Sequence, residues 1–141
     1  KALPVGADTE RSNMRRFGEL IGLAFQVKDD IFDYGTGEQI GKPTGIDIRE
    51  QKMTLPLIYA MQNAPAPIQK ELKYIIKNKF DDSKSVQRAI QLVWESGGVQ
   101  YAQKKMEALA QEAIEMLAAY PNNAAKTSLL ALVNYTMTRE K

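Results

Sequence analysis

Apolar residues recur at three- and four-residue steps along most of this chain, and each such run predicts a helix. Asp8 or Thr9 can cap a first helix running from about residue 10 to Tyr34. Met14, Phe17, Ile21, Ala24 and Phe25 mark its apolar face. Leu20, Leu23, Val27 and Ile31 widen that face, which predicts a helix that is mostly buried. Gly18 and Gly22 sit one turn apart; they weaken the helix locally and open it to close approach by a neighbour. Ahead of it, Pro4 and Gly6 make residues 1–8 read as a flexible lead-in.

Residues 35–52 have no helical period. Gly35, Gly37, Gly41 and Gly45, with Pro43 among them, predict a loop with backbone freedom and exposed N–H groups. Thr54 can cap the next helix, with Pro56 in its first turn and Leu57, Ile58 and Met61 on its apolar side. Pro65 and Pro67 then break the chain. A helix over about Ile68 to Lys77 turns Leu72, Ile75 and Ile76 inward. Asp82 or Ser83 caps another, with Val86, Ile90, Val93 and Trp94 as its stripe, and Ser96-Gly97-Gly98 ends it. The longest amphipathic run goes from Val99 through Met106, Ala110 and Leu117 to Tyr120. Pro121-Asn122-Asn123 is a turn, and a last helix carries Leu129, Leu130, Leu132, Val133 and Met137. No sustained alternation of β-branched residues competes, so the fold class is all-α. Trp94 reads as a core anchor, and Lys104-Lys105 as part of a solvated face.

With 141 residues and 44% hydrophobic content, the chain can bury a core, and one unit over residues 1–141 is expected. A net charge of +2 is too balanced for a protein built mainly to bind nucleic acid. The absence of cysteine excludes disulfides, thiolate zinc sites and cysteine nucleophiles, and fits a reducing, cytoplasmic setting. The absence of histidine excludes a Ser-His-Asp triad, imidazole metal sites and imidazole acid–base work. The most apolar window, Phe17 to Phe32, is cut by Glu19, Lys28, Asp29 and Asp30, so no transmembrane segment is expected.

One segment works against its own helix. Asp29, Asp30 and Asp33 fall at three- and four-residue spacing, so their carboxylates point toward roughly one side and repel by a few tenths of a kcal/mol per pair. They also occupy the last turn, where the helix dipole disfavours anions by roughly 0.3–1 kcal/mol each. Lys28 points about 100° away and is a poor counter-charge. Folding is expected to gain nothing from this triplet unless a cation is bound. An oxygen-only set suits magnesium, which keeps waters and shares its shell with substrate phosphates. Lys42, Arg49 and Lys52 lie within eleven residues on the glycine-rich segment, and lysines beside a carboxylate-bound cation are what a diphosphate needs. The plainer alternative is a solvated helix end joined to an ordinary connector. A calcium module fits poorly, because the loop lacks oxygen ligands at alternating positions.

Phe25-Gln26-Val27-Lys28-Asp29-Asp30-Ile31-Phe32-Asp33-Tyr34 resembles the second aspartate-rich motif of the trans-type polyprenyl diphosphate synthases. The segment from Gly41-Lys42-Pro43-Thr44-Gly45 through Asp47, Glu50 and Lys52 to Thr54-Leu55-Pro56-Leu57 resembles the stretch C-terminal to that motif in the same family. The resemblance covers about residues 17–60. It implies an all-α fold around a deep cavity, and an enzyme that joins an allylic diphosphate to isopentenyl diphosphate and releases pyrophosphate, which can take up the proton. By position it makes Asp29, Asp30 and Asp33 magnesium ligands, and Lys42 and Lys52 contacts of the diphosphate. It places Phe25 and Gln26 beside the reacting tail, and gives Asp47 the role of orienting a lysine or a metal-bound water. Residues 35–53 become a diphosphate-binding loop.

The family's first aspartate-rich motif has no counterpart here, and the chain opens at Lys1. The expectation is therefore the C-terminal part of a longer synthase, homodimeric at full length, and inactive in prenyl transfer as the isolated chain. The competing expectation is a non-catalytic helical module, regulatory or interacting. Magnesium with pyrophosphate separates the two: it raises the melting temperature only under the first.

Overall fold

The computed structural model describes residues 5–35 and 44–138, with side chains from residue 11 onward. Among the described residues every regular element is a helix: α1 Val5–Phe32, α2 Ile46–Arg49, α3 Leu55–Asn63, α4 Ala66–Asn78, α5 Ser83–Glu95, α6 Gly98–Leu117 and α7 Ala124–Thr138. The all-α reading holds. Two compact units are present, Val27–Lys104 and Lys1–Gln26 with Lys105–Lys141.

In the unit Val27–Lys104, α3, α4 and α5 pack on one another around Leu57, Leu72, Ile75, Val86, Leu92 and Val93. The apolar stripes read from the sequence supply that core. Asp82 caps α5 as predicted, its carboxylate accepting from Ser85 N at 3.0 Å and from Ser85 Oγ at 2.7 Å. Pro65 and Pro67 bracket the start of α4 without delaying it, because Pro67 falls in the first turn, where no N–H is needed. Gly97, at φ 81°, ends α5. Gly98 then opens α6 against the Pro56 carbonyl and Val93, where a Cβ has no room. Trp94 packs on this core with its indole N–H donating to Tyr34 O at 3.1 Å.

In the other unit, Phe17, Leu20 and Ile21 of α1 meet Ala110, Ala113 and Leu117 of α6 and Val133 of α7. Arg16 joins Glu112 at 3.2 Å. Asn123 Oδ1 accepts Lys126 N at 2.9 Å and starts α7.

The beginning of α1 differs from expectation. The helix already runs from Val5, so Asp8 and Thr9 lie inside it and do not cap it. Nothing after Pro4 forbids helix, and a cap residue is a start signal only where the chain has reason to start. The buried face of α1 is also narrower than its apolar pattern predicts. Met14, Leu23 and Phe25 are exposed, and added Cβ atoms at Gly18 and Gly22 would meet nothing within 4 Å among the described residues. Apolar residues lie nearly all round α1, and over residues 11–26 the Phe17-Leu20-Ile21-Ala24 side is the buried one.

Candidate functional site

The acidic triplet lies where α1 gives way to a turn. Asp30 is 7% exposed, while Asp29 and Asp33 are half-buried. Asp33 does structural work that the sequence reading denied to the triplet. Its Oδ1 accepts Ile46 N at 2.9 Å and its Oδ2 accepts Asp47 N at 3.0 Å. Its backbone oxygen accepts Gly45 N at 2.9 Å. The carboxylate thus satisfies two of the free N–H groups that begin α2 and sits at the positive end of that helix. Folding gains from Asp33 with no cation present, which corrects the expectation that the triplet is useless to the fold.

The four-residue α2 is itself a departure from the loop expected over residues 35–52. It has too few residues to show a hydrophobic period, and its ends are made by distant partners. Gly45 enters it at φ 76°. A Cβ there would lie 2.5 Å from Val86 Cγ1 and 3.3 Å from Ile90 Cδ1, so both backbone and space require glycine. Ile48 is fully buried in the core beneath. Arg49, expected among the charges for a diphosphate, instead holds the turn before α5: it donates to Asp81 O at 3.3 Å and to Ser83 Oγ at 3.2 Å.

Lys52 emerges from the far end of α2. Its ammonium stands 3.9 Å from Asp30 Oδ1, with the lysine side chain half-exposed and the aspartate nearly covered. Burial pushes the Asp30 carboxyl above the ordinary range; Lys52 opposes this, and Asp47, Asp29 and Asp33 add to it. Among the described residues, this covered carboxylate has three acidic neighbours and the Lys52 ammonium to offset them. Lys28 lies over the Phe32 ring, 5.5 Å from its centroid. Beneath the site Tyr34 is buried, and burial raises its phenol pKa far above the ordinary value. Its hydroxyl shares a 3.5 Å hydrogen bond with Thr54 Oγ1. Thr54 does occupy the N-cap position of α3, yet its side chain makes no capping bond; it faces Tyr34 instead.

The structure brings together Asp29, Asp30, Asp33, Asp47 and Lys52 around the junction of α1 and α2. Phe25 and Gln26 are exposed on α1 in the other unit. Lys42 lies outside the described residues, as do Gly37, Gly41 and Pro43. Sequence reasoning missed the anchors: Asp33 on α2, Gly45 under α5, and Gln51, whose amide reaches Ile76 O at 3.0 Å. The ordered pair Gly45-Ile46 was the available signal for a helix start, but nothing local points to Asp33 as its acceptor.

Among the described residues no group of three or more acidic side chains gathers closely enough to hold a metal ion by itself. The donor chemistry does fit an open site. Asp29 and Asp30 offer hard oxygens, and Asp30 is buried beside the half-exposed Lys52. An ion there would complete its shell from water and phosphate oxygens.

The Polyprenyl synthetase family model matches residues 2–93. Solanesyl-diphosphate synthase 2, chloroplastic, of Oryza sativa subsp. japonica is 36% identical over 89% of this chain and 30% of its own length. The nonaprenyl diphosphate synthase of Mycobacterium tuberculosis is 33% identical over 94% of this chain and 39% of its own length. This chain therefore spans well under half of these relatives. Among solved structures, a geranylgeranyl pyrophosphate synthase from Bacteroides thetaiotaomicron has a TM-score of 0.82 and 33% identity, covering 98% of this chain and 44% of that one. A polyprenyl synthase from Caulobacter crescentus CB15, complexed with calcium and isoprenyl diphosphate, has a TM-score of 0.77 and 31% identity, covering 91% of this chain and 39% of that one. With the family model matched over residues 2–93 and relatives more than 30% identical over most of its length, this chain belongs to the polyprenyl synthetase family.

Proposed function

We propose that residues 29–52 are one wall of a prenyl transfer site, which holds the diphosphate of an allylic substrate while isopentenyl diphosphate is joined to its tail. The observation that carries this reading is the buried Asp30, with the Lys52 ammonium 3.9 Å from its Oδ1. Asp29 and Asp30 would hold a magnesium ion shared with the diphosphate, and Lys52 and Lys42 would donate to phosphate oxygens. When bound, the ion supplies Lewis-acid stabilisation of the leaving diphosphate. The chain's own contribution is preorganisation. Asp33 fixes the start of α2, Ile48 and Arg49 fix its body, and Lys52 stands ready beyond its end. Donors that already point at the position of developing negative charge lower a barrier more than donors that must reorganise. The same reading keeps Asp47 as an orienting group.

A homodimer at full length belongs to this proposal. No helix among the described residues is long and apolar enough to cross a membrane. A cytoplasmic setting is the proposed one, and relatives named chloroplastic and mitochondrial mark other compartments for the family. The test is thermal. Magnesium plus pyrophosphate should raise the melting temperature of this chain, and Asp29→Ala or Lys42→Ala should remove the rise. A rise that survives both substitutions, or none in the wild type, overturns the proposal.

A further inference from the structure

The residue that turns the backbone from α2 into Lys52 carries a side chain in a place that favours glycine. Gln51 has φ 57°, in the left-handed region, and is the one non-glycine residue at positive φ among those described. It closes α2 by the two-bond Schellman pattern: Gln51 N donates to Ile48 O at 2.9 Å, and Lys52 N donates to Asp47 O at 2.8 Å. Glycine would make the same turn without steric cost, so the glutamine side chain needs a reason. Its Nε2 donates to Ile76 O at 3.0 Å, on the buried face of α4. The C-terminal end of α2 is thereby fastened to the core by a carboxamide, while Asp33 holds its N-terminal end.

Lys52 is the next residue, with a flexible four-carbon stem that is half-exposed. The direction in which its backbone leaves α2 then decides how often its ammonium lies over Asp30. A left-handed glycine would leave that direction loose. A left-handed glutamine tied to Ile76 fixes it.

We infer that Gln51 is a positioning residue: its carboxamide, anchored on the Ile76 carbonyl, holds the turn that aims Lys52 across Asp30. The inference rests on the reading of Lys52 as a diphosphate donor. Gln51→Gly and Gln51→Asn test it, because both relieve the backbone and neither reaches Ile76. Both variants should fold, with melting temperatures close to wild type, and the Lys52 amide should exchange with solvent faster in each ligand-free chain. In calorimetric titrations with pyrophosphate at saturating magnesium, each should raise Kd about three- to tenfold. Lys52→Ala should raise Kd at least as far, and Gln51→Gly should add nothing further in that background. If Lys52→Ala weakens binding while both Gln51 variants bind as wild type, the inference is overturned and the Lys52 reading stands. Losses that add in full, or an unchanged Lys52 amide exchange rate, also overturn it. If Lys52→Ala binds as tightly as wild type, the reading of Lys52 falls, and the inference with it.

Discussion

Gly45→Ala should unfold the unit Val27–Lys104 more easily by about 2–5 kcal/mol. Two costs contribute. Gly45 sits at φ 76°, and a residue with a Cβ loses roughly 1–2 kcal/mol in the left-handed region. The new methyl would stand 2.5 Å from Val86 Cγ1 and 3.3 Å from Ile90 Cδ1, and overpacking of that kind costs roughly 1–3 kcal/mol. Relaxing the turn gives no escape, because it draws Ile46 N and Asp47 N away from Asp33, and a hydrogen bond to a charged group is worth about 1.5–3 kcal/mol. The assay is urea unfolding followed by fluorescence of Trp94, the chain's one tryptophan, which packs on the core of this unit. With a slope of about 2 kcal/mol per molar urea, the midpoint should fall by about 1–2.5 M. Gly35→Ala is the internal comparison: φ 71°, with Thr44 Cγ2 the one near atom among the described residues, at 3.3 Å, so mainly the backbone cost of roughly 1–2 kcal/mol applies. A Gly45→Ala loss no larger than that of Gly35→Ala would refute the packing argument.

Other substitutions separate folding from binding. Asp30→Asn should stabilise the ligand-free chain by about 0.5–2 kcal/mol, since it removes a charge that burial disfavours, and should abolish the response to magnesium and pyrophosphate; a loss in chemical denaturation contradicts this. The pH dependence has a definite sign. Asp30 is raised, so the folded state keeps its proton where the unfolded state has released it, and wild-type stability falls as pH climbs from the ordinary carboxylate value through the folded one. The difference between wild type and Asp30→Asn, measured by melting across that window, should grow with pH. Asp33→Ala should cost about 1–2 kcal/mol even with no metal in the buffer, whereas a site used only for metal would show no loss. Asp82 is lowered by its bonds from Ser85, so Asp82→Ala should lower the melting temperature at neutral pH and lose that effect as pH falls below the carboxylate range. Gly18→Ala adds a methyl into open space on a helix and should stabilise this chain by about 0.5–1 kcal/mol.

The helices of residues 55–117 were legible because their apolar spacing is regular and their stops are strong. Leu72, Ile75 and Ile76, and then Val86, Ile90 and Val93, are buried as their period requires. The first helix was legible in type but not in exposure, because Leu23 and Phe25 belong to an apolar pattern that runs nearly all round it. The candidate site was legible in its acids and in Lys52, which local spacing places on a helix end and the segment after it. Its supports were not. Asp33 bonds to residues thirteen and fourteen positions away, Gln51 to one twenty-five away, and Arg49 to the turn before α5. Such contacts depend on how distant segments meet, which no periodicity encodes.

The central claim is that Asp29 and Asp30 hold a divalent ion together with a diphosphate rather than alone. Electron paramagnetic resonance of manganese, titrated into this chain with and without pyrophosphate, tests it most directly. The account predicts weak binding of manganese alone. With pyrophosphate present, it predicts a ternary signal in which manganese binds at least tenfold tighter, lost in Asp29→Ala and weakened in Lys52→Ala. Manganese that binds equally with or without pyrophosphate, or a ternary signal unchanged by Asp29→Ala, contradicts it.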